Sequence, residues 1–323
     1  MPKHDSVRDK LAELQALGQR PYDDAVREGL LRGLEHASNV IVAQAAELMG
    51  RFGKAEFVPP LLAHGEKLLG QGMEADKGCR AKEAIVCALD TLGNTEESVY
   101  LRGMRCIQME PVFGGRADVA ANLRGCCAQA LARMLYAEAH LEIAHLLVDL
   151  EMPARLAAVR AIAYLGDEKS ELLLRMKVLA GDADSGVLNA AFAGLLAIEP
   201  ARSVSFCAGF LADTDAPSAE PAALALGESR LPEALAALRT CWDTLADYTF
   251  RKTLLLAIAL HRSDEAFDFL LTIIREEGRS AALKALEVLD IYRAEEKRCA
   301  QIQAAVQANS DALVREAFQA QYR

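Results

Sequence analysis

Aromatic residues are scarce: Phe, Trp and Tyr make up 6% of the 323 residues, and the one tryptophan is Trp242. A surface that stacks bases along a strand needs more of them. Cations are outnumbered as well, 36 Lys and Arg against 46 Asp and Glu, for a formal charge of −10. That balance argues against nonspecific binding to nucleic acid or anionic lipid. Long apolar runs are missing; the longest clean one, Leu254–Leu260, falls far short of the ~18 residues that span a bilayer. Met1-Pro2-Lys3-His4-Asp5 lacks the basic-then-apolar order of a secretory signal, so the expectation is a cytoplasmic chain off the membrane. No stretch shows the period-2 alternation of a strand.

Motifs for chemistry are equally thin. The eight cysteines include no Cys-x-x-Cys; most sit among Ala and Leu and read as reduced, small apolar residues. No closely spaced ligand pairs suggest zinc. The six histidines (His4, His36, His64, His140, His145, His261) form no His-Glu-x-x-His, and His140 and His145, five apart, point about 140° away from one another on a helix. There is no phosphate-cradling Gly-x-x-x-x-Gly-Lys-Ser/Thr and no Gly-x-Ser-x-Gly elbow. The expectation is no metal, no cofactor and no catalytic residue.

What the chain does have is 52% hydrophobic residues, enough for a large core, and internal repetition. Residues 81–93, 123–135 and 154–166 align without gaps, with small or apolar residues at i, i+4, i+5, i+7 and i+8, the packed stripe of a helix. The small residues permit close approach to neighbouring helices, and Gly93 and Gly166 suit helix ends. The second position of this frame recurs at Val42, Lys82, Arg124, Arg155, Leu188, Ala219, Arg251, Arg279 and Arg315. An amphipathic segment precedes each copy, for example 141–150, 171–180, 231–242 and 267–275. Two helices per repeat make an all-α, right-handed α-solenoid (α-α superhelix, HEAT/ARM-like) of about eight to nine hairpins.

On these residues the chain resembles the HEAT-repeat family, in particular the short HEAT-like repeats first named from phycobilisome lyases. Their Val-Arg-x-x-Ala-Ala-x-Ala-Leu-Gly core follows an Asp six residues before the Arg. Here that Asp recurs at Asp76, Asp118, Asp149, Asp182 and Asp213, and Asn309 stands in its place before Arg315. The frame departs from the pattern at Val42, Leu188 and Ala219, which lack the basic residue, and before Arg251 and Arg279, where Leu245 and Ile273 replace the Asp. The resemblance covers roughly residues 22–323 and speaks for fold far more than for chemistry. Residues 1–21 read as an N-terminal cap helix or tail, a charged helix ending near Gly18 with Pro21 as a stop.

Two features stand out of the repeat. The turns 70–78 and 109–118 are longer than the rest, and insertions in such arrays gather on one face, often the binding face. The first unit of charge lies here: residues 102–133 carry five arginines against Glu110 and Asp118, whereas residues 161–249 carry six basic residues against thirteen acidic ones. The Asp of each repeat is expected to accept N–H groups from the first turn of the second helix and to pair with the cation six residues on, as a ladder. Three turns carry an extra acid: Asp149/Glu151, Asp182/Asp184 and Asp213/Asp215. With Leu188 and Ala219 in the cation's place, Asp182, Asp184, Asp213, Asp215 and Glu220 read as an acidic ridge without internal counter-charge, a docking surface for a basic segment of a protein or peptide. Arg116, in the Gly114-Gly115-Arg116 turn, and Arg124 on the adjacent helix form the second candidate. The expected function is a non-enzymatic scaffold or adaptor for a protein partner; the alternative is a HEAT-like enzyme, a chromophore lyase or a DNA-glycosylase type of nucleic-acid binder, which a basic groove enclosing an aromatic and a carboxylate would favour.

Overall fold

The structure, a computed structural model, describes residues 7–244 and 250–322; His4 and Leu245 lie outside them. The chain divides into two compact units, Met1–Leu165 and Gly166–Arg323.

In the first unit α1 (Val7–Leu17) packs on α2 (Asp24–Leu34) and α3 (Asn39–Phe52). There follow three more helix pairs: α4 (Val58–Leu69) with α5 (Arg80–Thr91), α6 (Ser98–Met104) with α7 (Ala121–Arg133), and α8 (Ala139–Ala144) with α9 (Met152–Leu165). The second unit holds five pairs: α10 (Glu168–Ala180) with α11 (Ser185–Ile198), α12 (Pro200–Gly209) with α13 (Ala219–Ser229), α14 (Pro232–Thr244) with α15 (Arg251–His261), α16 (Asp264–Glu276) with α17 (Arg279–Val288), and α18 (Glu296–Ala308) with α19 (Ala312–Gln321). All nine frame positions fall on the second helix of a pair, from Val42 on α3 to Arg315 on α19. Those second helices stack in order, α3 to α9 in one unit and α11 to α19 in the other. Each unit is therefore an α-solenoid stack, in which every hairpin buries its apolar side against its neighbours.

Small residues set the spacing. A Cβ on Gly227 of α13 would lie 2.1 Å from the carbonyl oxygen of Ala257 on α15, and one on Gly50 of α3 would lie 3.2 Å from the Cα of Ala88 on α5. These helices touch backbone to backbone, and the core of the first unit includes Ile85 and Leu89 of α5 and Leu123 and Leu131 of α7, all fully buried. Trp242 is a packing residue, buried under the Arg251 guanidinium 4.8 Å from its ring. His261 is likewise structural: its ring nitrogens meet Ser263 Oγ at 2.9 Å and the Leu231 carbonyl at 3.1 Å.

Two expectations need correction. The chain does contain β-structure: β1 (Met109–Val112) and β2 (Gly115–Asp118) pair antiparallel, from Met109 opposite Asp118 to Val112 opposite Gly115. The strands bury no face, so no period-2 pattern marks them, and Pro111 further disguises β1. The reversal is made at Phe113-Gly114, with Gly114 at φ +89°. The aspartate that precedes each second helix, secondly, is seldom its cap. Asp76 does accept from Ala81 and Lys82 N–H at 3.0 and 2.9 Å. Asp118, Asp149, Asp182 and Asp213 instead accept from the N–H two residues on, which folds the turn ahead of the helix.

Candidate functional site

The two long turns come together. Gln71, Gly72 and Met73 of the first, and Met109 and Arg116 of the second, line a cleft of about 620 Å³ in the first unit. The first turn is folded by two short 3₁₀ segments, Met73–Ala75 and Lys77–Cys79; the second is the β-hairpin. Lys82, Arg102 and Arg105 complete the charged lining, so the cleft carries four cations and no carboxylate.

Those cations differ in how they are held. Arg102 is ion-paired with Glu66, and Arg105 with Glu142 at 2.7 Å. Arg116 donates to the Met109 carbonyl at 2.8 Å, and among the described residues no carboxylate lies within 4 Å of it. Lys82 is the unusual member. It is 2% exposed, and among the described residues its ammonium donates to a single acceptor, the amide oxygen of Gln108 at 2.6 Å. The expected ladder pairing with Asp76 does not form, because Asp76 is taken up by its two backbone donors and by Asn39 Nδ2 at 3.0 Å. A buried ammonium answered by a neutral amide is a costly arrangement that folding alone does not require.

A polar network fixes this lysine in place. Gln108 Nε2 donates to the Asp76 carbonyl and to Glu110 Oε1, each at 2.7 Å, and Glu110 Oε1 also accepts from Gly78 N at 2.8 Å. The two turns are thus sewn to one another through Gln108 and Glu110. Asp118, at the end of β2, accepts from Gln108 N at 2.9 Å and from Arg124 at 2.7 Å, which anchors the hairpin base to α7. Burial pushes the Asp118 carboxyl up, but its backbone donors and the Arg124 guanidinium outweigh that and hold it below its ordinary 3.8. Arg124 goes on to grip Asp149 of the next repeat and to donate to the Cys106 carbonyl. Its side chain is 4% exposed, so its work is structural, and of the expected pair only Arg116 faces the cleft. Two apolar side chains are left to solvent: Ile107, which lines the cleft ahead of β1, is 71% exposed, and Phe113 at the hairpin turn is wholly so.

The five acids of the expected ridge lie in the second unit. Asp182 departs from the ridge, since Lys177 on α10 pairs with it at 2.7 Å and its side chain is 2% exposed. The missing counter-charge comes from the preceding helix instead of the frame position. Asp184 is the N-cap of α11, accepting from Gly186 and Val187 N–H. Asp213, Asp215 and Glu220 are exposed. Among the described residues no three His, Cys, Asp or Glu side chains converge as a metal site would need, and no helix is long and apolar enough to cross a membrane.

Lys82 stood in the sequence as one more ladder cation. The signals that single it out, Lys in place of Arg and the Gln108-Met109-Glu110 segment ahead of the hairpin, gain meaning only once the two turns meet.

No protein-family model and no curated protein matches the chain in sequence. Solved structures with a similar trace include the complex of CpcE and CpcF of phycocyanin lyase from Nostoc (17% identity, 90% of this chain and 96% of that one, TM-score 0.45). Human deoxyhypusine hydroxylase is a second (16% identity, 78% and 96%, TM-score 0.30). An engineered protein is a third, at 17% identity over 99% and 95% of the two chains with a TM-score of 0.37. None of these three likenesses reaches a TM-score of 0.5, so the architecture is read from the chain's own helix pairs.

Proposed function

We propose that this chain is a non-enzymatic HEAT-like scaffold, and that it docks an acidic segment of a partner protein in the cleft between its two long turns. One observation carries the reading: four cations, with Lys82 buried and Arg116 facing no carboxylate among the described residues, line a cleft with no carboxylate in its lining, on a chain of net charge −10. An acidic segment supplies the counter-charge that Lys82 and Arg116 lack among the described residues, and the exposed Ile107 on the cleft and Phe113 at the hairpin turn add apolar contact. The enzymatic alternative asks for an aromatic and a carboxylate inside a basic groove, and neither is among the residues lining this one. Docking of a basic segment on the acidic turns is the weaker reading, because Asp182 and Asp184 are occupied by the fold itself.

Photo-crosslinking from position 113 in extracts of the source organism tests this. The captured peptides are expected to be rich in Asp and Glu and to disappear with Arg116→Glu or at high salt. Recovery of the same peptides from Arg116→Glu, or capture of peptides of random charge, would overturn it.

A further inference from the structure

Two thiols meet where consecutive second helices touch. Cys87 of α5 and Cys126 of α7 are both half-buried, and their sulfurs lie 2.9 Å apart. A disulfide holds its sulfurs about 2.05 Å apart, so closing the bond asks for a movement of under about 1 Å. The pair is also a departure from the repeat. Cys87 stands five residues after the frame position Lys82, and Cys126 two after Arg124. At the junction before this one the same two places hold Glu47 and Ala84, and at the junction after it Gln129 and Ala157. A polar residue beside an alanine therefore suffices for the stack, and two facing sulfurs are not a demand of its packing.

The two thiols are unequal. Cys87 Sγ donates its proton toward Cys126 Sγ. That hydrogen bond holds the Cys126 thiol below its ordinary 9.0 against the burial that pushes it up, while Cys87 is raised. Cys87 also lines a second cleft, of about 330 Å³, through which a small reagent reaches the pair. The lining of this cleft includes Glu47 of α3 and Glu83 of α5 against Arg80 alone, so acids outnumber cations there.

We infer that Cys87 and Cys126 are a redox pair, oxidised to a disulfide between α5 and α7 by small disulfides that carry amino groups, the cystamine class. The Cys126 thiolate attacks one sulfur of the reagent, forming a mixed disulfide and releasing one aminothiolate. Cys87 then attacks the Cys126 sulfur and expels the second. The two protein thiols are oxidised by two electrons, the reagent is reduced to two thiols, and the two protons lost by the cysteines go to the two leaving sulfurs. Glu47 and Glu83 favour a cationic reagent over an anionic one. The new bond links residues 39 apart in sequence and ties together the helices that follow the two long turns. Neither step uses the basic cleft or a partner protein.

Exposure of the reduced full-length chain to cystamine or to oxidised glutathione, with timed alkylation and peptide mass spectrometry, follows every cysteine. The first product with cystamine is expected to be the Cys87–Cys126 disulfide, formed about tenfold faster than Cys241 or Cys299 is modified, although these too are half-buried. Cys87→Ser and Cys87→Ala should both stop at a Cys126 mixed disulfide. Glu47→Gln should narrow the preference for cystamine over oxidised glutathione; circular dichroism of each variant verifies the fold. Failure of the Cys87–Cys126 disulfide to form, a mixed disulfide that accumulates in the wild type, or a reagent preference no larger than that of Cys241 would sink the inference. None of these readouts involves crosslinking from position 113, so the docking proposal and this one fail separately.

Discussion

Arg124 holds Asp149 by both edges of its guanidinium, Nε to Oδ2 at 2.8 Å and Nη2 to Oδ1 at 2.9 Å, across the step from one repeat to the next. Its Nη1 meanwhile binds Asp118 of its own repeat at 2.7 Å. The three side chains are 4%, 12% and 8% exposed, so this is a buried triad and not a surface pair. Arg124→Met strands two buried carboxylates and should cost roughly 3–5 kcal/mol. Arg124→Lys should also destabilise, because an ammonium cannot reproduce the fork. Urea titration of both variants against the wild type decides the matter; a midpoint unmoved in either would refute the triad's role.

Acid should loosen the hairpin base first. The folded Asp118 carboxyl sits below its ordinary 3.8, so it binds protons less readily than in the unfolded chain. Its contribution is fully present above about pH 4 and drains away as pH falls through the lower folded value. Asp118→Asn should abolish that part of the acid sensitivity while leaving behaviour at pH 7 nearer the wild type than Arg124→Met does. Thermal melts at a series of pH values from 7 downwards give the comparison.

Backbone contact makes Gly227 intolerant of a methyl group. Alanine is favoured over glycine within a helix by about 1 kcal/mol, yet at Gly227 it would meet the Ala257 carbonyl. Net destabilisation of about 1–3 kcal/mol is expected from overpacking. Gly209, which ends α12 at φ −58° with no atom within 4 Å of an added Cβ, provides the control. There alanine should be neutral or stabilising by about 0.5–1 kcal/mol.

Lys82 separates stability from binding. Lys82→Met removes a buried charge that, among the described residues, donates only to an amide oxygen, and should leave the denaturation midpoint unchanged or raised. Capture of acidic peptides from position 113 should fall in the same variant. A large loss of stability would mean that Lys82 is a structural cation after all.

The architecture was legible because its cause is periodic. Small residues at Gly50, Ala88, Gly125 and Gly227 recur where helix backbones meet, and the frame built on them places all nine second helices. Repeating terms add up along a chain, whereas a site is a departure from them. The hairpin escaped notice because strands with no buried face carry no hydrophobic alternation. Lys82 hid in a ladder position, and its true partner Gln108 lies 26 residues away on a turn. Asp182 looked unneutralised because its counter-ion, Lys177, precedes it on α10 instead of following it.

The hairpin base, finally, is rooted at three points: in the strand's own start through Gln108, in α7 through Arg124, and beyond it in Asp149. Whatever grips the Phe113 tip therefore pulls on a joint of the stack and not on a loose flap. Force applied at the hairpin tip is passed through Asp118 and Arg124 to Asp149, at the seam between two successive helix pairs.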